Sequence, residues 1–304
     1  MKLTHLFAFL GILTCASAAL AQNDRDDAPP KSVVHLNQQI EAFAPTAGGT
    51  GPLSPITNHG GHVLGGTVHV YIVWYGNWNQ SNGSDNALGQ GLVRTFLSSV
   101  GNSPYFNINT TYSGVTGGVS LKGETTDTGS QGTRLSDSRV QTIVSSAIAS
   151  GKLGPPDANA LYFVLTSSNV SENSGFCTQY CGWHTFGTIA GSNIKYSFVG
   201  NANRCLSGCA AQTISPNGNA GVDGMISVIA HELEETVTDP NLNAWYDSSG
   251  AENGDKCAWT FGSAQTLLPS GAYYNMSLGG KNFLIQRNLD ASNSECYVSY
   301  KGQQ

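Results

Sequence analysis

The chain has 304 residues, of which 11% are charged, 9% are aromatic and 37 are glycine. Disordered chains combine high charge with few aromatics, so that class is excluded, and the length allows one large domain or two small ones with a sizeable core. Lys and Arg total 14 against 20 Asp and Glu, a net charge of -6, which excludes the basic field of a nucleic-acid binder.

Residues 1–21 read as a secretory signal: Lys2 gives a minimal positive start, an apolar stretch runs from Leu6 to Leu20, and Ala19-Leu20-Ala21 is a cleavage site before Gln22. No later apolar run approaches the roughly 20 residues a membrane span needs, so the mature chain is expected to be secreted and extracellular. Residues 22–58 are polar, rich in Pro and Gly and without period, and read as a flexible linker or pro-segment. The domain is expected over 59–304. Within it, Thr67–Tyr75 (TVHVYIVWY) is a β-branched and aromatic run, a strand buried on both faces. Leu88, Leu92, Phe96 and Val100 recur at helical period over 87–100. A second helix begins at Asp137 behind Ser136 as N-cap, with Val140, Ile143, Val144, Ala147 and Ile148 on one face. Residues 161–166 (LYFVLT) form another buried strand, and 195–199 and 283–286 are shorter candidates. Strands alternating with helices predict a single α/β (α+β) domain with a mixed sheet packed against helices.

Removing the signal takes Cys15 with it and leaves an even set, which in an exported chain favours disulfides. The simplest of the many pairings joins Cys177 to Cys181, Cys205 to Cys209 and Cys257 to Cys296. A four-cysteine zinc site built from the two C-x3-C pairs is the alternative, which an oxidising compartment disfavours.

The most informative stretch is GVDGMISVIAHELEETVTDP, residues 221–240. Met225, Val228, Ile229 and Leu233 give it an apolar face, Asp223 is placed to cap its start, and Pro240 stops it. Between Cys205 and Asp255 there is no Lys or Arg, while Asp223, Glu232, Glu234, Glu235, Asp239, Asp247, Glu252 and Asp255 bring -8. Glu232 to Asp239 crowd the negative end of the helix dipole, each at a cost of roughly 0.3–1 kcal/mol. A bound cation would relieve that repulsion. His231 and Glu235 lie four apart, on one helical face, with Glu232 beside His231: an H-E-x-x-E spacing that parallels the H-E-x-x-H zinc helix. The reading is a central zincin-like helix with His231 and Glu235 as metal ligands, Glu252 or Asp255 as the third, Asp239 in reserve, and Glu232 as the catalytic base. Carboxylate ligands suit zinc and also admit Mn or Ca. The bland alternative is a solvated acidic face beside an ordinary histidine.

Several of these segments together resemble the EXORDIUM / phosphate-induced protein family: HGGHVLGGTVHVYIVWYGNW, LYFVLTSSNV followed by FCTQYCGWH, YSFVGNANRC, the acidic helix with NLNAWYD after it, and FLIQ before Cys296. The likeness runs from about His59 to Cys296. It implies an exported, extracellular or wall-associated protein with a role in plant growth responses and no settled biochemical activity. His231, Glu232, Glu235, Glu252, Asp255 and Cys257 match the family pattern, whereas Asp239 replaces an Asn, which argues against it as an essential ligand.

His184, in CGWH, also matches that pattern; it reads as a structural histidine bonded to a loop, with the metal as its other option. His59 and His62 read as loop histidines rather than a metal clip, and His69 as a satisfied core histidine. Trp74, Trp78 and Trp183 read as core anchors rather than a sugar-stacking platform. No G-x-S-x-G elbow, Walker loop or dinucleotide fingerprint occurs. Asn79, Asn82, Asn109, Asn169 and Asn275 begin N-x-S/T triplets. Two functions fit: a metal-dependent hydrolase of the peptidase kind, or a non-enzymatic extracellular protein whose metal is structural and which binds a wall polymer or a protein partner. The sequence does not set the oligomeric state.

Overall fold

The computed structural model describes residues 31–35 and 53–302; the signal segment and much of the expected linker lie outside them. Six strands build the main sheet: β1 (Ser32–His35), β2 (Thr67–Tyr75), β3 (Gly118–Asp127), β4 (Ala160–Thr166), β5 (Tyr180–Ile189) and β6 (Ser192–Gly200). Their spatial order is β1-β5-β6-β4-β2-β3. The β3-β2-β4-β6 half is parallel, and β5 and then β1 add antiparallel at one side. The sheet is therefore mixed, as the alternation of elements requires.

Every residue of β4 is buried, as are Ile72 to Tyr75 of β2. Successive side chains in a strand point to opposite faces, so both faces of the sheet centre are covered. Three long helices supply the cover: α1 (Ala87–Ser99), α2 (Asp137–Ala149) and α3 (Ala220–Thr238). The α1 helix starts where Asn86 accepts a hydrogen bond from the Gly89 N–H, and it buries Leu92, Val93, Phe96 and Leu97. Leu88, expected on that face, is 83% exposed; the stripe is carried by residues 89, 92, 93, 96 and 97 instead. In α2 the Ser136 cap and all five expected core positions hold.

The α3 helix is buried from Gly221 to Thr238, polar residues included. Its N-cap is Asn219, whose side chain accepts from the Val222 N–H at 3.1 Å. Asp223, expected to cap, is held instead by the backbone and side chain of Asn217. The C-terminus closes at Asp239, whose Oδ1 accepts from the Asn243 and Ala244 N–H groups at 2.6 and 2.7 Å. A short helix, α4 (Asn253–Lys256), packs against α3.

Three expectations are corrected. Cys177 pairs with Cys205 and Cys181 with Cys209, not each with its near neighbour; only Cys257–Cys296 is as expected. The two C-x3-C segments lie side by side and are stitched across, which binds the entry of β5 to the helical turn Leu206–Cys209 before α3. Part of the expected linker is strand: Ser32–His35 pairs with β5, and Thr57–Asn58 pairs with Trp245–Tyr246. The strand expected over 283–286 is displaced to Lys281–Phe283, which pairs with Met276–Leu278.

Candidate metal centre: a buried cluster of carboxylates and histidines

The H-E-x-x-E spacing does on α3 what helical geometry requires. His231 and Glu235 stack one turn apart, with His231 Nε2 2.8 Å from Glu235 Oε1. The α4 helix delivers the third group. Asp255 Oδ1 lies 3.7 Å from His231 Nε2, while the Asp255 N–H donates to Glu235 Oε1 at 3.0 Å. The Asp255 side chain is 22% exposed and forms the rim of the cluster. Gly254 makes this approach feasible: a Cβ there would come within 2.8 Å of the His231 ring.

A second group adjoins the first and shares Glu235 with it. His184, from β5, points Nδ1 at Glu232 Oε2 (3.1 Å) and Glu235 Oε2 (3.5 Å), and its Nε2 lies 3.7 Å from Glu252 Oε1. His184, Glu232 and Glu235 offer ligand atoms within 4.8 Å of one another, and so do His231, Glu235 and Asp255. His184 is thus a member of the cluster, not a loop-bonded structural residue. The half-polar segment around CGWH carried no strand signal, and nothing in the sequence placed β5 against α3. Asp239, the ligand in reserve, belongs to neither group, and its Oδ1 serves the backbone turn after α3. Glu234 is the acid that sequence reasoning passed over. It is fully buried and accepts from the Tyr105 hydroxyl at 2.5 Å.

Burial dominates the electrostatics here. His184, His231, Glu232, Glu234 and Glu235 are fully enclosed and Glu252 is 2% exposed. Among the described residues the ion-pair partners of Glu232, Glu235, Glu252 and Asp255 are His184 and His231 alone, since Lys256 turns away to Asp247. Desolvation pushes the Glu232 carboxyl up to about 7 against the pull of His184. It likewise raises Glu252, and it raises Asp255, where the charge of Glu235 adds to it. Glu235 behaves oppositely: burial would raise it, but the charge of His231 and the closeness of both imidazoles hold it at about 2. Burial works against charging the histidines, yet Glu252 at His184 and Glu235 at His231 carry both well above the ordinary value. Buried polar atoms remain without hydrogen-bond partners on every member but Asp255: His184 Nε2, His231 Nδ1 and Nε2, Glu232 Oε1, Glu235 Oε2 and Glu252 Oε1. Unpaired buried groups are costly, so an arrangement of this kind is suited to binding a cation.

The remaining sequence candidates are accounted for elsewhere. His59 stacks on Tyr246 with ring centroids 3.7 Å apart, and His62 is exposed. His69 Nδ1 meets Asp157 Oδ2 at 2.5 Å. Trp74 and Trp78 pack edge to face, and Trp183 lies against Tyr196 and Phe198, so these rings are core. Asn109 is fully buried and accepts from Asn253 and Asn288, which removes it as a glycan site. No helix among the described residues is long and apolar enough to cross a membrane.

Fold and cluster together define a disulfide-bridged, mixed α/β domain built around a buried acid and histidine centre. The family model described as "Phosphate-induced protein 1 conserved region" matches residues 56–299, and the chain belongs to this family, which includes the EXORDIUM proteins. It is 31% identical to Protein EXORDIUM-like 5 of Arabidopsis thaliana over 283 residues, covering 78% of this chain and 76% of the relative. Identity to Protein EXORDIUM-like 3 of the same plant is also 31%, over 301 residues, with 85% and 86% covered. Protein PHOSPHATE-INDUCED 1 of Nicotiana tabacum is 26% identical over 279 residues, with 78% and 86% covered. No solved structure matches the chain.

Proposed function

We propose that this is a secreted protein that holds one divalent cation at His231, Glu235 and Asp255 and acts as a metal-dependent hydrolase on a peptide-like substrate. The observation that carries the reading is the convergence of buried imidazole and carboxylate groups with unpartnered polar atoms and no Lys or Arg to balance them. A bound zinc ion would supply Lewis-acid polarisation of a carbonyl; the carboxylate-rich donor set equally admits Mn or Ca. In this reading Glu232 takes the proton from the attacking water and His184 fixes the Glu232 carboxylate in position. Glu252, on the far side of His184, orients that imidazole. The three disulfides accord with an extracellular site of action.

Metal stoichiometry of the purified chain, stripped with EDTA and reloaded separately with zinc, manganese and calcium, is the direct test. One tight site in the parent and none in His231→Ala is expected; absence of a stoichiometric ion in the parent overturns the reading. Hydrolysis of peptide mixtures by the loaded chain should fall at least 100-fold in Glu232→Gln. A second reading has an observation of its own, the near-complete enclosure of the cluster. There the cation is a structural clamp in a non-enzymatic extracellular protein that binds a wall polymer or a protein partner. Stoichiometric metal, loss of stability on chelation and no turnover would select it.

A further inference from the structure

The β1 strand sits on the protein in the manner of a bound peptide. It contributes four residues to the outer side of β5, with Ser32 opposite His184, Val33 opposite Trp183 and Val34 opposite Gly182, and the register slips by one before His35 meets Tyr180. Lys31, just ahead of it, enters a polar and aromatic pocket. Its Nζ donates to Asp137 Oδ2 (2.8 Å) and Oδ1 (3.1 Å), to Ser174 Oγ (2.6 Å) and to the Tyr180 hydroxyl (3.2 Å). The ammonium also lies 4.7 Å from the centre of the Tyr180 ring and 5.3 Å from that of Trp183. Val33 packs on the core, and the His35 carbonyl accepts from Trp259 Nε1 at 2.7 Å. Backbone pairing on one side, one charged side chain in a specific pocket and an apolar anchor two residues on are the elements of strand-addition recognition. Because Ser32 pairs directly opposite His184 in the sheet, the strand borders the candidate centre on the β5 side.

We infer that the outer edge of β5 is a binding groove for an extended peptide carrying a lysine, which the chain's own Lys31–His35 segment occupies in cis. The Asp137, Ser174 and Tyr180 pocket selects the lysine, and the groove sets the following residue directly opposite His184. This names a substrate class for the proposed hydrolase, and it rests on that reading only in making the bound peptide a substrate; the groove itself is independent of any metal. While Lys31–His35 is seated, a second peptide is excluded.

The test uses the full chain with a specific protease site introduced among residues 36–52, and a fluorescently labelled synthetic peptide of residues 29–38 (PPKSVVHLNQ). Fluorescence anisotropy is read before and after cleavage, in EDTA and again with zinc. Uncut protein should bind at least 10-fold more weakly than cut protein. Replacing the peptide lysine by glutamate should cost the cut protein at least another 10-fold, and so should Asp137→Asn. An uncut Lys31→Ala variant, which only loosens the resident segment, should bind the probe more tightly than its parent. Failure of both cut protein and Lys31→Ala to bind the probe overturns the inference, as does equal binding of the lysine and glutamate peptides. Peptide binding that persists in a chain found to hold no metal would refute the metal centre and leave the groove standing.

Discussion

Stability of the metal-free chain should fall as pH rises, the reverse of the usual behaviour of carboxylates in ion pairs. Take Glu232. Its carboxyl is pushed from the ordinary glutamate value of 4.5 up to about 7 by burial, so between these limits the folded chain keeps a proton that the unfolded chain has released. Stability is therefore lost as pH climbs from 4.5 through about 7. At ~1.4 kcal/mol per pH unit the loss from this one group is about 3 kcal/mol. His184 and His231 act in the same direction. Both are raised, so their contribution is full below 6.5 and fades as pH passes their folded values. Glu235, held at about 2, is the exception, but its contribution is complete above 4.5 and disappears only as pH falls toward 2. A bound cation replaces these protons, so its affinity rises with pH and the loaded chain should not show the decline. Urea unfolding of EDTA-stripped protein at half-unit steps from pH 5 to 8, read by tryptophan fluorescence, measures the slope; repeating it with zinc measures the divergence. Glu232→Gln should flatten the metal-free slope. Metal-free stability that climbs over this range, or a slope that Glu232→Gln leaves unchanged, would refute the argument.

Removing either crossed bridge, as Cys177→Ser/Cys205→Ser or Cys181→Ser/Cys209→Ser, should cost roughly 2–3 kcal/mol in denaturant unfolding, because the other bridge still closes nearly the same loop. Removing both should cost more than the sum of the two, since only then does the denatured chain regain the whole loop. Gly254→Ala drives a methyl into the His231 ring and should cost about 1–3 kcal/mol, together with a drop in zinc affinity measured by calorimetry. Tyr105→Phe strips Glu234 of its hydroxyl partner and should destabilise by about 1–3 kcal/mol; Glu234→Gln, which keeps an acceptor there, should be milder.

What the sequence made legible and what it did not divide along a physical line. Local period and capping chemistry were enough for β2, β4, α1 and α2, because their hydrophobic residues recur at the element's own spacing: Val140, Ile143 and Val144 can face one core only in a helix. The longest misses, β3 and β5, lack that pattern. GVSLKGETTD and YCGWHTFGTI are half polar, and they become strands because a neighbour in the sheet supplies the hydrogen bonds. Likewise α3 announced its helix and the spacing of His231 and Glu235, yet no periodicity could say that its polar face would be enclosed too. That enclosure depends on β5, which ends 43 residues before Glu232, and on α4, which begins 18 residues after Glu235. Cysteine spacing misled for the same reason. Cys177 and Cys181 are neighbours in sequence, but the entry of β5 and the Leu206–Cys209 turn run side by side, with Cα atoms 5.8 and 5.4 Å apart in the two crossed bridges, a tertiary contact that spacing alone does not report.

Enclosure of the helix also constrains how the cluster can be reached. A hydrolytic centre must admit a scissile bond, and among the described residues the cluster's exposed member is Asp255, while His184 is flanked by Ser32 of β1. An access route along α4 alone would bring a substrate to Asp255 and His231 but leave Glu232, with its His184 partner, on the far side. Withdrawal of β1 from β5 would free the sheet edge beside His184, and a substrate paired there in its place would lie next to the imidazole that contacts both Glu232 and Glu235. The catalytic reading therefore requires β1 to leave, whereas a structural clamp requires it to stay. Hydrogen exchange at the β1–β5 amides separates the two: protection close to that of β4 favours the clamp, and protection far weaker than that of β4 favours the enzyme.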